Sequence, residues 1–94
     1  MATLLIEHPV LDFATWQTAF DRFAQRRRAG GVTAERIYQP VDDPAYVVIT
    51  LDFDAAAQAS TFLRFLQEQV WSDPSASPAL TGTPRTAILD RRLP

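Results

Sequence analysis

His8, the only histidine of the 94-residue chain, is the first residue to consider for proton-transfer chemistry. His8 lies at the end of a predicted central β-strand, where its side chain can reach the mouth of a pocket. Since imidazole titrates near neutral pH, His8 is suited to act as a general base or as a hydrogen-bond donor to a substrate. The alternative is a structural histidine held by a backbone carbonyl or by Asp12.

Arg36 is the second catalytic candidate. It projects from a predicted edge strand on the same face as Tyr38, and a guanidinium group there is able to orient an anionic or carbonyl-bearing ligand. The alternative is an ion pair on the sheet or across an interface between subunits. Two other charged segments are predicted to be structural. The run Arg26–Arg28 is typical of a solvated helix end that the helix dipole favours, and residues 42–44 are typical of a turn.

Aromatic side chains supply the predicted ligand-binding surface. Trp16 lies on the apolar stripe of the first predicted helix and is suited to stack on a planar ligand, although plain core packing explains the same position. Trp71 follows the second predicted helix and either lines the pocket entrance or anchors a long loop. The predicted ligand contacts are Trp16, Phe20, Tyr38, Tyr46 and Trp71.

Composition excludes several classes of function. The chain has no cysteine, which excludes disulfides, thiolate catalysis and zinc–sulfur sites, and one histidine cannot build a multi-histidine metal site. No serine nucleophile motif, Walker loop or G-x-G-x-x-G run occurs. We therefore expect neither a metal nor a cofactor.

Net charge and hydropathy argue against two classes of binding partner and predict where the protein is located in the cell. The net charge of −2 argues against nucleic acid and against a membrane surface as partners. No secretion signal and no apolar run long enough to cross a bilayer is recognisable. These features predict a cytoplasmic protein.

The elements that position these residues follow from apolar periodicity. Residues 44–54 are predicted to form the centre of the sheet, because both alternating faces of this run are mostly apolar. An apolar stripe with Asp12 as N-cap and a glycine stop predicts a helix over 12–29. A second stripe, with Asp54 as its cap, predicts a helix that ends before Pro74. The remaining predictions are strands at 3–10, 32–40, 45–53 and 85–91 and a long loop over 71–84.

This order, βαββαβ, predicts a single α+β domain over residues 1–94 with the ferredoxin-like fold. Right-handed crossovers place both helices on one face of a four-stranded antiparallel sheet, with the strands in the spatial order 4-1-3-2. The other sheet face would stay uncovered although its central strand is apolar on both sides. We therefore predict a homodimer that packs sheet against sheet.

A set of motifs resembles the small dimeric α+β barrel proteins related to antibiotic biosynthesis monooxygenases, and the likeness spans nearly the whole chain. The motifs are His8-x-Val10-x-Asp12-Phe13-x-x-Trp16-x-x-x-Phe20-Asp21, Arg27-Arg28, Gly30, Arg36, Asp42-Asp43-Pro44, and Gly82 with Pro84. The resemblance implies a pocket for hydrophobic ligands between helices and sheet, and in some members oxygenation without metal or flavin. The haem-degrading branch uses an asparagine on its first strand and a histidine after its tryptophan. This chain has no asparagine, and no histidine follows Trp71, which argues against haem degradation.

Two hypotheses from different classes follow. In the first, the protein binds a small hydrophobic or aromatic molecule and oxygenates it without a cofactor, with His8 or Arg36 favouring the anion of an acidic phenol. In the second, it is a non-catalytic dimerisation or ligand-sensing module. Replacement of His8 separates them, because only the first hypothesis expects lost turnover with near-normal folding.

Overall fold

The computed structural model describes residues 1–92 and has the predicted α+β architecture. The four strands follow the predicted order, but the first predicted helix is divided into two, and a π-helical turn extends the last helix. In chain order the elements are β1 (Ala2–Pro9), α1 (Phe13–Arg22), α2 (Ala24–Ala29), β2 (Val32–Tyr38), β3 (Tyr46–Phe53), α3 (Ala56–Phe65), the π-turn (Leu66–Val70) and β4 (Arg85–Asp90).

The four strands form one antiparallel sheet in the order β2-β3-β1-β4, which confirms the predicted topology. The central pair is in a register that opposes Leu4 to Leu51, Ile6 to Ile49 and His8 to Val47. Because side chains alternate along a strand, these residues share one face, which the helices cover. We call it the helix-facing side, and all six of these side chains are buried there.

The residues between them make the opposite face, which we call the open face. It carries Thr3, Leu5 and Glu7 of β1 and Tyr46, Val48, Thr50 and Asp52 of β3, all partly exposed. The neighbouring strand β2 opposes Arg36 to Thr50 and Tyr38 to Val48, so both residues lie on this face as well.

The first helical segment is not the single helix that the stripe over 12–29 predicts. Asp12 is the N-cap as expected, and its Oδ1 accepts a 2.8 Å hydrogen bond from the backbone N–H of Thr15. The helix then breaks at Phe23, whose N–H donates to the carbonyl of Phe20 three residues back. This three-residue bond interrupts the α-helical pattern, and α2 starts at the next residue. Apolar spacing continues through the break, which is why the sequence conceals it.

The second helix also differs from its prediction at both ends. Its N-cap position is Ala55, not Asp54, and the side-chain Oε1 of Gln58 accepts the Ala55 N–H at 3.1 Å. At its C-terminal end the backbone widens into the π-turn, where the N–H of Trp71 donates to the carbonyl of Leu66 at 2.8 Å. Such insertions are rare and occur often at functional sites.

A glycine at the end of α2 allows this helix to approach α3 closely. Gly30 ends α2 beside the ring of Phe62 on α3, and a Cβ added at Gly30 would lie 2.7 Å from Phe62 Cδ1. Gly31 follows with φ of 99°, a conformation that side-chain-bearing residues rarely adopt. The predicted glycine stop is thus confirmed, with a packing role added. None of the helices within residues 1–92 has the length and apolar character that crossing a membrane requires.

Candidate functional site

A cavity of about 70 Å³ lies between the sheet and the helices. This is several times the roughly 10–15 Å³ that one water molecule needs. Its walls are mostly apolar and aromatic. They are formed by Ile6, His8, Trp16, Ala19, Phe20, Phe23, Arg27, Ile49, Leu51, Phe62, Leu66, Val70, Trp71, Ala76, Ser77, Ala79 and Leu80.

His8 brings the hydrogen-bonding chemistry of the sheet to this cavity. The two-residue period of β1 turns it to the helix-facing side, where only 3% of it is exposed. Its Nδ1 lies 2.9 Å from the carbonyl oxygen of Pro9. A carbonyl can only accept, so Nδ1 carries the proton and Nε2 presents a lone pair. Within the part of the chain that the structure describes, Nε2 has no protein partner and is not sealed from the cavity.

Burial keeps this imidazole neutral. Desolvation lowers the pKa of His8 below its ordinary value of 6.5, and the smaller opposing effect of the Pro9 carbonyl raises it. The backbone tie is one of the two structural alternatives considered from the sequence. It also fixes the tautomer that leaves Nε2 free to accept a hydrogen bond. The structural and the chemical interpretations of His8 are therefore compatible.

An aromatic wall runs from His8 along helix α1. The ring of Trp16 lies edge-on to His8 with centroids 6.4 Å apart, and it stacks on Phe20 at 4.8 Å. Trp16 is buried and Phe20 is partly exposed. The two rings present flat apolar faces of the kind that pack on planar ligands.

Arg27 is a cavity residue that the sequence prediction placed in solvent. It is 4% exposed, whereas its neighbours Arg26 and Arg28 are exposed as predicted. Its guanidinium lies over the ring of Phe20 at 3.6 Å, and its Nε donates to Glu35 Oε2 at 2.6 Å. The solvated-helix-end interpretation of this run is wrong for Arg27, because its guanidinium packs on Phe20 and pairs with Glu35.

A signal for Arg27 did exist in the sequence. It lies seven residues after Phe20, a spacing that returns to the same face of a helix. The run of three arginines concealed that spacing, since charged residues are rarely buried without a partner. Its partner Glu35 belongs to a strand with little apolar character.

The mouth of the cavity is built by the π-turn and the loop that follows it. Trp71 is partly buried and lines the cavity together with Val70. The loop folds back over them, because Ser77 Oγ donates to the Val70 carbonyl at 2.8 Å. Farther along, the Ala79 carbonyl accepts a 2.9 Å bond from the N–H of Leu11. The long loop predicted at 71–84 is therefore a strapped cover over one side of the cavity.

Three predicted site residues lie elsewhere. Arg36 is on the open face, where its Nη1 lies 3.3 Å from Asp52 Oδ2, so the ion-pair alternative describes it. Tyr38 is 51% exposed on the same face. The hydroxyl of Tyr46 donates to Glu7 Oε1 at 3.0 Å on that face as well. The sheet separates all three from the cavity that holds His8, Trp16, Phe20 and Trp71.

The acidic residues do not form a catalytic or metal-binding group. Asp43 belongs to the turn before β3, where its Oδ1 accepts from the N–H of Ala45 at 2.9 Å. Across residues 1–92, no three side chains of His, Cys, Asp or Glu cluster as a metal site would require. The polar side chains that line the cavity are instead His8, Arg27 and Ser77, together with the indole N–H groups of Trp16 and Trp71. The Ser77 hydroxyl already donates to backbone carbonyls.

Comparison with known proteins identifies the fold. No family model matches the chain, and no curated protein matches its sequence. Among solved structures, a protein of unknown function from Nitrosomonas europaea is 15% identical, with a TM-score of 0.68 over 99% of this chain and 93% of that one. A structure described as an antibiotic biosynthesis monooxygenase is 9% identical, with a TM-score of 0.64 over 99% of this chain and 100% of that one.

A dimeric ferredoxin-like protein from an uncultured marine organism is a further neighbour, 10% identical, with a TM-score of 0.61 over 98% of this chain and 97% of that one. These matches confirm the fold that the sequence motifs predicted. At such low identities they speak for the fold alone.

Proposed function

We propose that the protein binds a small, planar, largely apolar aromatic molecule that carries a hydroxyl group, in the cavity between the sheet and the helices. The observation that carries this proposal is the free Nε2 of His8 in a wall of aromatic rings. The rings of Trp16 and Phe20 pack on the ligand. Its hydroxyl donates to His8 Nε2, the acceptor that burial keeps neutral.

Oxygenation of that ligand without a cofactor is the reaction we propose. His8 accepts the hydroxyl proton, and the aromatic anion then passes electrons to O₂. In the net reaction of an anthrone-type phenol, a ring CH₂ and O₂ become a ring C=O and water. The CH₂ carbon loses four electrons, the two oxygen atoms of O₂ gain two each, and the two hydrogens of the CH₂ leave in the water. The supporting observations are the position of His8 and the likeness to a structure described as a monooxygenase.

The binding step is tested with two isosteric probes, phenol and toluene. Trp16 and Trp71 are the only tryptophans of the chain, and both line the cavity, so their fluorescence reports on occupancy. We expect phenol to bind about tenfold tighter than toluene, because it makes a hydrogen bond that toluene cannot. His8→Phe should remove that preference while toluene still binds. Equal affinity of the two probes for the wild-type protein would refute the role of His8.

The reaction is tested by oxygen uptake with anthrone-type phenols. We expect consumption above the buffer rate with wild-type protein and loss of the excess with His8→Phe. If wild-type protein and buffer consume oxygen equally while phenol still binds, the second candidate function applies: a ligand-sensing module without turnover. The observation that favours this candidate is the scarcity of reactive groups in the cavity. Arg27 forms an ion pair with Glu35, which leaves His8 as the candidate base.

We also propose that two chains associate through the open face. Its centre is formed by apolar side chains such as Leu5 and Val48, and several of its polar groups are paired, as in the bond between Tyr46 and Glu7. A partly apolar sheet surface with such pairs is suited to burial against a copy of itself. Native mass spectrometry of protein from its own host reads the oligomeric state and any retained ligand. A monomer would contradict this assembly.

A further inference from the structure

Arg27 is a buried cation in the cavity wall that the binding of a hydroxyl group at His8 does not use. The aromatic wall separates these two polar groups. Trp16 contacts His8 on one side and Phe20 on the other, and Phe20 in turn lies under the guanidinium of Arg27. The cavity therefore has two polar positions spaced along one apolar wall.

The guanidinium keeps hydrogen-bonding capacity after its protein contacts are counted. Its Nε donates to Glu35 Oε2 at 2.6 Å, its Nη1 donates to the carbonyl of Phe20 at 2.6 Å, and its Nη2 reaches Glu35 Oε1 at a long 3.4 Å. An arginine has five N–H donors. Two of them have no acceptor within the described part of the chain, although the side chain is only 5% exposed.

Glu35 determines which acceptor suits those two donors. Its carboxylate already neutralises Arg27, and it lies at the protein surface with 41% of its side chain exposed. A carboxylate on the ligand would bring a second negative charge into an apolar cavity with no further cation there to balance it, which is costly. A neutral carbonyl oxygen accepts the same hydrogen bonds without that cost.

We infer that Arg27, which lines the cavity and is held from behind by Glu35, is a second polar subsite that binds a neutral carbonyl oxygen of the ligand and discriminates against a carboxylate. The ligand class is then a hydroxyaryl ketone or aldehyde, with the hydroxyl at His8 and the carbonyl at Arg27. This inference rests on the proposed binding of a hydroxyaryl molecule and adds its second functional group.

The test uses three phenols of nearly equal shape: 4-hydroxyacetophenone, 4-isopropylphenol and 4-hydroxybenzoate. They place a ketone, an alkyl group and a carboxylate at the position opposite the hydroxyl. Binding to the intact protein is measured by isothermal titration calorimetry. We expect the wild-type protein to bind the ketone about tenfold tighter than the alkyl compound, and the carboxylate most weakly.

Two variants reverse or remove this preference. In Glu35→Gln the ligand's carboxylate becomes the only counter-charge for Arg27, so the affinity for 4-hydroxybenzoate should rise about tenfold or more. In Arg27→Met the ketone should lose its advantage while 4-isopropylphenol still binds. A purely structural role for the pair would lower the affinity for all three ligands together and would give no gain in Glu35→Gln.

Arg85→Met is the matched control, because it removes an arginine that faces a carboxylate on the open face, 3.9 Å from Glu7. It should leave all three affinities unchanged. If Arg27→Met does not fold, the switch in Glu35→Gln decides alone, since that variant keeps the guanidinium. A wild-type protein that binds the ketone and the alkyl compound equally overturns the inference. A wild-type protein that binds no phenol at all overturns the proposed function instead.

Discussion

The two faces of the sheet use arginine in opposite ways. On the helix-facing side, Arg27 is buried, lies over an aromatic ring and holds a carboxylate at 2.6 Å. On the open face, Arg36 and Arg85 are largely exposed and face their carboxylates at 3.3 Å and 3.9 Å. Exposed pairs contribute little to stability, whereas a buried charge that is retained needs a specific reason.

The same contrast holds for the other polar groups. On the open face, several hydroxyl and carboxylate groups pair with one another, such as Thr3 with Asp52 at 2.7 Å and Tyr46 with Glu7. The helix-facing side carries few polar groups, and those keep unused hydrogen-bonding capacity at His8 Nε2 and at Arg27. Unused capacity in an apolar cavity is what ligand binding requires. Paired groups on a flat surface suit association instead.

The largest difference between the faces should appear when one arginine is removed from each. Arg27→Met removes the bond to the Phe20 carbonyl and leaves Glu35 without its cation, so we expect a loss of roughly 2–3 kcal/mol in the free energy of unfolding. Arg85→Met should change it by less than about 0.5 kcal/mol. Urea denaturation measures both. Similar losses in the two variants would contradict the difference in stability expected between the buried Arg27 and the exposed Arg85.

Two adjacent valines give a smaller contrast. Val47 is fully buried on the helix-facing side and Val48 is partly exposed on the open face. We expect Val47→Ala to cost about 2 kcal/mol, because it leaves a cavity in the core, and Val48→Ala to cost less than about 1 kcal/mol in a monomer. If the open face is buried in a dimer, the loss at Val48 should depend on protein concentration. Thermal unfolding over a hundredfold concentration range separates these outcomes.

The smallest expected effect is the pH dependence of the free energy of unfolding, and it comes from His8. Burial lowers the pKa of His8 in the folded protein below the 6.5 of the unfolded chain. Between these values the unfolded state binds more protons, so stability rises with pH there. The stabilising effect of a neutral His8 should be complete above about pH 6.5 and should be lost as the pH falls through the folded-state pKa.

Urea denaturation at several pH values between 5 and 8 measures this dependence. Since the chain has one histidine, His8→Phe should flatten this part of the profile. A wild-type stability that does not change across this range would contradict the burial of a neutral imidazole.

Much of the fold could be predicted from local patterns. The alternation in 45–53 indicated a strand covered on both sides, and β3 does occupy a central position. Asp12 was recognisable as a cap because an acidic residue preceded an apolar stripe, and it is one. The failures at Phe23 and Ala55 have a common cause: each helix end depends on local hydrogen bonds that the apolar spacing does not reveal.

Only some of the residues predicted for the site lie in the cavity. His8, Trp16, Phe20 and Trp71 are brought together because strand and helix periods predict their faces correctly. Arg36 and Tyr38 were placed on one face of β2, and they do share a face. Which face of β2 turns toward the helices depends on its register with β3, and that register opposes both residues to the open side of the sheet.

The sequence by itself determined the order of strands and helices and the shared strand face of Leu4, Ile6 and His8, since both follow from the periodicity of apolar residues along the chain. The sheet topology followed from that order and the right-handed crossover rule. Only the tertiary structure decided which arginine enters the cavity. That choice depends on two partners that Arg27 meets in the folded chain: the ring of Phe20 and the carboxylate of Glu35, which lies eight residues later on another element. A buried charge requires a partner in space, and spacing along the chain does not specify that partner.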